Sequence, residues 1–294
     1  MKKFIGTICL TIFAVAAMAG CTANGGGAEG EEGNASKEIT VISREEGSGT
    51  RGAFVELLGI EEKDAEGNKV DRTIDTADQT NSTGVMLQSV AQNDAAIGYV
   101  SLGSMNDTVK ALEIDGAAAT VENIKNGSYA ISRPFNIVTG AALSDSAKDF
   151  ISFILSSDGQ AVIEEKGYIA VSDAAAYEGT GATEKIVVAG SSSVSPVMEK
   201  LIEAYKAIYP DAEIELQTSD STTGVNSVVD GISDIGMASR ELKDSEIGAG
   251  VTGTVIAMDG IAVIVNLENP VSAMTSEQVC GIYIGEITNW NEIA

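Results

Sequence analysis

Apolar and polar positions alternate between two periods along this chain of 294 residues. Ile39–Ile42 is a short apolar run that predicts a strand, and the polar turn Glu46-Gly47-Ser48-Gly49 separates it from a helical pattern over Thr50–Leu58. A second helical pattern covers Thr83–Ala91, and Ala95–Val100 returns to strand. After Ala147, the residues Phe150, Ile151 and Ile154 fall at the spacing of one buried helix face. The grammar then repeats. Lys185–Ala189 reads as a strand, Gly190–Ser195 as a hydroxyl-rich loop, and Pro196 opens a helix with the apolar face Met198, Leu201, Ile202 and Tyr205. Proline suits the first helical turn, and Ser195 before it is the expected cap. Ile214 and Leu216 alternate as in a strand, Thr218–Thr223 is a loop, and Val225, Val228, Val229 and Ile232 form another helix face. Asp234–Ala238 and the very apolar Gly260–Asn266 complete the strands. Such alternation predicts an α/β fold with mostly parallel sheets. Asp173–Thr183, mostly Ala, Gly and acids, reads as a surface linker.

The first residues carry a different pattern. Lys2 and Lys3 precede an apolar run from Phe4 to Met18 that ends in Ala19 and Gly20, which predicts an export signal over residues 1–20, too short to span a bilayer. Met18-Ala19-Gly20-Cys21 resembles a bacterial lipobox, which implies lipidation of Cys21 and an anchor on the outer face of the cell membrane. Residues 21–37 then supply a tether rich in Gly, Glu, Asn and Ser. Three cysteines make no disulfide framework here: Cys9 leaves with the signal, Cys21 is the anchor, and Cys280 in its apolar context is expected to be buried and inert.

Charge narrows the choice of partner. Without Lys2 and Lys3 the 18 basic residues fall to 16, against 43 acidic ones, a formal charge of −27. Nucleic acid is therefore not an expected partner, because binding its backbone needs clustered positive charge. The chain has no histidine, which excludes Ser-His-Asp hydrolysis, phosphohistidine chemistry and histidine metal sites. No enzyme activity, no cofactor and no metal is expected. Any anion site must be local, enclosed and rich in oriented donors.

Three junctions offer such donors: Glu46-Gly47-Ser48-Gly49-Thr50, Gly190-Ser191-Ser192-Ser193 and Ser219-Asp220-Ser221-Thr222-Thr223-Gly224. The first turn of a helix has unsatisfied N–H groups and the positive end of the dipole, so it takes an oxyanion without net charge. One such loop alone is more simply a capped helix start; three, together with Ser239 at a strand end, point to a shared site. Arg44, one of five arginines, ends a strand directly before the first junction, where its guanidinium could fork two charge-assisted hydrogen bonds to an oxyanion. It could equally pair with Glu45 or Glu46. Arg240, beside Ser239, is a weaker candidate of the same kind and reads more simply as a solvated charge at a strand end.

Ile42-Ser43-Arg44-Glu45-Glu46-Gly47-Ser48-Gly49-Thr50, Ala189-Gly190-Ser191-Ser192-Ser193-Val194-Ser195-Pro196, Asp234-Ile235-Gly236-Met237-Ala238-Ser239-Arg240-Glu241 and Asp259-Gly260-Ile261-Ala262-Val263-Ile264-Val265-Asn266, with Ile287-Thr288-Asn289-Trp290, together resemble the phosphate-binding proteins of bacterial phosphate ABC transporters. The order differs, since the serine loop comes near the start in that family and here Arg44 opens the chain, which implies a circular permutation with Asp173–Thr183 joining the old ends. The resemblance implies a two-lobed fold of the type II periplasmic-binding-protein kind, one lobe from residues 38–134 plus 258–294 and the other from 135–257. It implies that inorganic phosphate is held by Arg44, Ser48, Gly49, Thr50, Ser192, Ser193, Ser221 and Ser239 and delivered to the permease subunits of an ABC importer. Ser239 brings a hydroxyl without the repulsion of a carboxylate, so strict rejection of sulfate is not expected. A sensor or surface protein on the same fold, or a phosphatase, are the alternatives.

Overall fold

The computed structural model describes residues 37–171 and 174–293. The export signal, Cys21, the tether through Ser36, and Asp173 at the start of the expected linker lie outside the described residues.

Ten strands form one sheet: β1 (Thr40–Arg44), β2 (Asp78–Thr80), β3 (Ala96–Ser101), β4 (Val109–Ala111), β5 (Ser132–Thr139), β6 (Ile169–Ala170), β7 (Ile186–Ser191), β8 (Ile214–Ser219), β9 (Ile235–Ala238) and β10 (Thr252–Asn266). Their order is β8-β7-β9-β5-β10-β3-β1-β2, with β4 and β6 also pairing with β10. The expected parallel pairs are present at the two flanks, where β1 pairs with β2 and β3, and β7 with β8 and β9. The centre departs from expectation. β5 and β10 pair antiparallel with each other, β5 with β9, and β10 with β3, β4 and β6. The apolar run Gly260–Asn266 is only the second half of β10, a strand long enough to serve both flanks.

Helices cover both faces: α1 (Gly49–Leu57), α2 (Thr83–Ala91), α3 (Asp145–Leu155), α4 (Ser157–Glu165), α5 (Ser195–Ile208), α6 (Ser221–Val229) and α7 (Ser276–Tyr283). Burial gathers into separate cores. One is built from residues between 39 and 131 and between 261 and 293, around the stacked rings of Phe54 and Tyr99, whose centroids are 3.9 Å apart, with Tyr283 edge-on to Phe54. Another is built from residues between 135 and 257, around Phe135, Phe150, Phe153 and Tyr205. Smaller clusters under α2 and α6 close the opposite sheet face.

Several local expectations need correction. Val225 and Val228 are buried, but α6 stops at Val229, which is 44% exposed, and Ile232 is 66% exposed beyond it. Ser195 is not the cap of α5. It is the first helical residue, Val194 holds the cap position without a side-chain bond, and the Ser195 hydroxyl instead donates to the Ser191 carbonyl at 3.1 Å and meets Thr218 Oγ1 at 2.8 Å. Cys280 is half-buried rather than enclosed, with burial pushing its thiol pKa up.

Both ends of the described chain enter the first core. The Ile39 N–H donates to Thr288 O at 2.8 Å, the Trp290 N–H to Lys37 O at 3.1 Å, and the indole N–H of Trp290 to Ala95 O at 2.9 Å. The linker after residue 173 is held as well. Asp149 on α3 accepts from the Tyr177 hydroxyl, from the Tyr205 hydroxyl at 2.6 Å, and from the Thr180 and Gly181 N–H groups at 3.0 and 3.2 Å. Burial works against the Asp149 charge, but these four donors outweigh it and hold its pKa below the usual carboxylate value. Asp149→Ala is therefore expected to cost about 2 kcal/mol at neutral pH, because it strands several donors at once, a deficit read from the urea midpoint. The contribution of Asp149 is present above the unfolded carboxyl pKa and is lost as acid titrates the depressed folded-state group, so the two chains should converge in strong acid.

Candidate functional site

The two flanks of the sheet bring their strand-to-helix junctions together at one place. β1 ends at Arg44, and Ser48 caps α1, its hydroxyl accepting from the Arg51 N–H at 3.3 Å. Arg44 is 2% exposed, and its own N–H donates to the Tyr99 hydroxyl at 3.0 Å, which ties the strand end to the aromatic core. Glu45 takes two hydrogen bonds from the guanidinium, from Nε at 2.9 Å and Nη2 at 2.8 Å. Nη2 also donates to Ser192 Oγ at 3.1 Å, and Nη1 reaches Thr83 Oγ1 at 3.5 Å. The pairing with a neighbouring carboxylate is present, made by Glu45, and the remaining edge of the guanidinium faces Thr83 of its own flank and Ser192 of the other.

From the opposite flank come Ser191 at the end of β7, Ser192 and Ser193 after it, Ser221 at the start of α6 and Ser239 directly after β9. Ser193 Oγ lies 2.8 Å from Thr50 Oγ1 and 3.2 Å from Thr83 Oγ1. Ser239 Oγ accepts from Ser191 at 2.9 Å and lies 3.3 Å from Ser221 Oγ, which in turn accepts from the Ser239 N–H at 3.0 Å. Gly49 is where the two sides touch: a methyl group there would run into Ser221 Oγ and lie 2.7 Å from Ser239 Oγ. Gly47 is equally confined against Asp220, and its carbonyl accepts from the Thr222 N–H at 3.2 Å. Both glycines are thus required by close approach.

All eight residues singled out in the sequence lie in this region, and the seven with side chains are buried. Ser48 differs from the rest, because its hydroxyl is committed to capping α1. Sequence reasoning passed over Thr83, although Thr80-Asn81-Ser82-Thr83-Gly84 is the same kind of hydroxyl-and-glycine junction, with Thr83 opening α2. Three helices, α1, α2 and α6, thus begin at the cluster, and their first-turn N–H groups add donors to its hydroxyls. Arg240 is not a solvated charge: it is buried and forks onto Glu246 at 2.8 and 2.7 Å. Arg133 on β5 and Asp259 on β10, also passed over, form an ion pair at 3.2 Å that is 1% exposed on each side. Their signal was a charge placed inside an apolar strand run. Among the described residues no cluster of carboxylates and thiols could hold a metal ion.

An enclosed shell of hydroxyls, helix N-termini and one guanidinium is suited to a small oxyanion. The comparisons with known proteins agree in kind. The family model of the PBP superfamily domain matches residues 24–158 and 175–294. The Phosphate-binding protein PstS 2 of Streptococcus agalactiae is 52% identical over 286 residues, covering 97% of this chain and 98% of that protein. The chain belongs to the PstS family of phosphate-binding proteins. A crystal structure of a phosphate-binding protein of a phosphate ABC transporter from Streptococcus pneumoniae, 44% identical, superposes with a TM-score of 0.66 and covers 88% of this chain and all of that one. The PstS protein of Bacillus subtilis is 30% identical over 145 residues, 49% of this chain and 45% of its own length. The α/β fold of periplasmic-binding-protein type expected from the sequence is the one observed.

The Arg133–Asp259 pair gives a titration to measure. Burial pushes the Asp259 carboxyl up to about 6, with Arg133, Ser101 and the Gly103 N–H pulling the other way. A raised folded-state pKa stabilises the fold below the unfolded value, and that stabilisation is lost as pH rises through about 6. Between pH 4 and 6 the unfolding free energy of Asp259→Asn should therefore move in the variant's favour by about 2 kcal/mol relative to the parent chain, measured by urea titration at each pH.

Proposed function

We propose that this chain is an extracytoplasmic solute-binding protein that encloses inorganic phosphate between two lobes and passes it to the permease subunits of an ABC importer. The observation that carries this is the meeting of Arg44 and Thr50 with Ser192 and Ser193, at 3.1 and 2.8 Å, from cores that share few sequence neighbours. An anion placed there would be contacted from both sides at once. Contacts available only when both sides meet favour the closed form, which is how a ligand shifts such an equilibrium. The names of the S. agalactiae and S. pneumoniae proteins support phosphate as the anion.

The lobes of this account are residues 38–134 plus 258–294 and residues 135–257, with β5 and β10 crossing between them. Separate cores on either side of these crossings support the division. The order of segments is a working rearrangement. It is shared with the S. agalactiae protein along nearly its whole length, while the B. subtilis protein aligns over about half, as two chains with exchanged halves would. Cys21 anchors the protein to the outer face of the membrane, and the tether lets the lobes reach the transporter. No turnover is part of this function: the chain has no histidine, and the carboxylate beside Arg44 is committed to it.

Calorimetric titration of the mature chain, made lipid-free with Cys21→Ser, is expected to show one phosphate site, with arsenate binding as well and sulfate binding weakly but measurably. Arg44→Ala should weaken phosphate by about 100-fold, the effect of removing a charge-assisted donor from an enclosed site. Gly49→Ala should weaken it by about tenfold or more through the blocked approach to Ser221 and Ser239. A folded chain that binds no phosphate would overturn the assignment.

A further inference from the structure

Arg133 sits one residue pair into the crossing, directly opposite Asp259 in the β5–β10 register. Its Nη2 donates to Asp259 Oδ2 at 3.2 Å, and its Nη1 reaches out of the crossing to the carbonyl of Ser239 at 3.2 Å. The guanidinium carbon lies over the Phe135 ring, 5.3 Å from its centroid. Asp259 is held in turn by the Ser101 hydroxyl at 3.0 Å, so the pair joins β3 of one core to the end of β9 in the other. Ser239 is the residue whose hydroxyl and N–H converge on Ser191 and Ser221 in the oxyanion shell.

A buried arginine kept only as a strut would be expected to have its donors satisfied, because an incompletely bonded buried charge is costly. Arg133 does not fit that expectation. It is 2% exposed, and its Nε has no hydrogen-bond partner among the described residues. Burial holds the guanidinium below the usual arginine range; Asp259 opposes this, and Arg44 is near enough to add to it. The shell therefore has a second cation close behind it, in a protein whose overall charge repels anions.

We propose that Arg133 is a positioning residue for anion capture: its fork fixes the Ser239 carbonyl, and with it the Ser239 hydroxyl and N–H, while its charge offsets the acidic field at the back of the shell. This rests on the phosphate reading of the site. Arg133 touches no ligand in this account; it acts through Ser239 and across the crossing.

Calorimetry with inorganic phosphate on the unlipidated mature chain tests it, with the thermal midpoint of each unliganded variant measured alongside. Binding by the parent chain comes first, and its absence would fail the phosphate reading itself rather than this inference. Given that binding, Arg133→Met is expected to weaken phosphate by about 30-fold, and Arg133→Lys, which keeps the charge and loses the fork, by about fivefold. Asp259→Asn keeps an oxygen for Arg133 and removes the negative charge, so it is expected to bind phosphate at least as tightly as the parent. A purely structural pair would give a different pattern, with Arg133→Met and Asp259→Asn losing affinity together in step with their midpoints, and that result would overturn the proposal. So would parent affinity in Arg133→Met or, should that chain not fold, in Arg133→Lys.

Discussion

The constraint on which the rest depends is electrostatic. A chain with 43 acidic and 18 basic residues can hold an anion only where the donors are enclosed, oriented and shielded from the field of the surface. The structure meets this by taking donors from backbone geometry rather than from net charge. Three helices start at one point, short hydroxyl side chains fill the space between their first turns, and a single guanidinium enters the shell with a carboxylate of its own at its side. Fixed dipoles of this kind are not screened by distant carboxylates as a lone surface cation would be.

Enclosure in turn dictates the fold around it. Donors at the ends of β1 and β7 point at each other only because the sheet is continuous through β5 and β10, which run antiparallel and carry the chain from one core to the other. At the point of contact any side chain would be in the way, which is why Gly47 and Gly49 stand opposite Asp220 and Ser221. The buried pair Arg133–Asp259 lies at that crossing, tying the back of the shell to both cores.

Much of this was legible in the sequence, and the limits of legibility have physical causes. The strand-to-helix junctions at Ser48, Ser192 and Ser221 were readable because glycine and hydroxyl residues at such turns have local reasons to be there, and the structure brings all three together. Thr83 carries the same signal in a weaker form and was passed over. Arg133 and Asp259 could not be paired from the sequence, since they are 126 residues apart and each alone is only a charge interrupting an apolar run. The expectation of parallel pairing failed at the centre for a similar reason: an apolar strand pattern reports burial, not the direction of its neighbours. Ser195 was misassigned because proline marks the first turn of a helix without fixing which residue precedes it, and the loop used that hydroxyl for Ser191 and Thr218.

The central claim is that one small anion is held from both cores at once. A crystal structure of the mature chain grown with phosphate tests it most directly. The account predicts tetrahedral density within hydrogen-bond reach of the Arg44 guanidinium, of Thr50, and of Ser192, Ser221 and Ser239 together. Density contacting only one flank, or an anion elsewhere with this shell in its present hydrogen bonds, would contradict it.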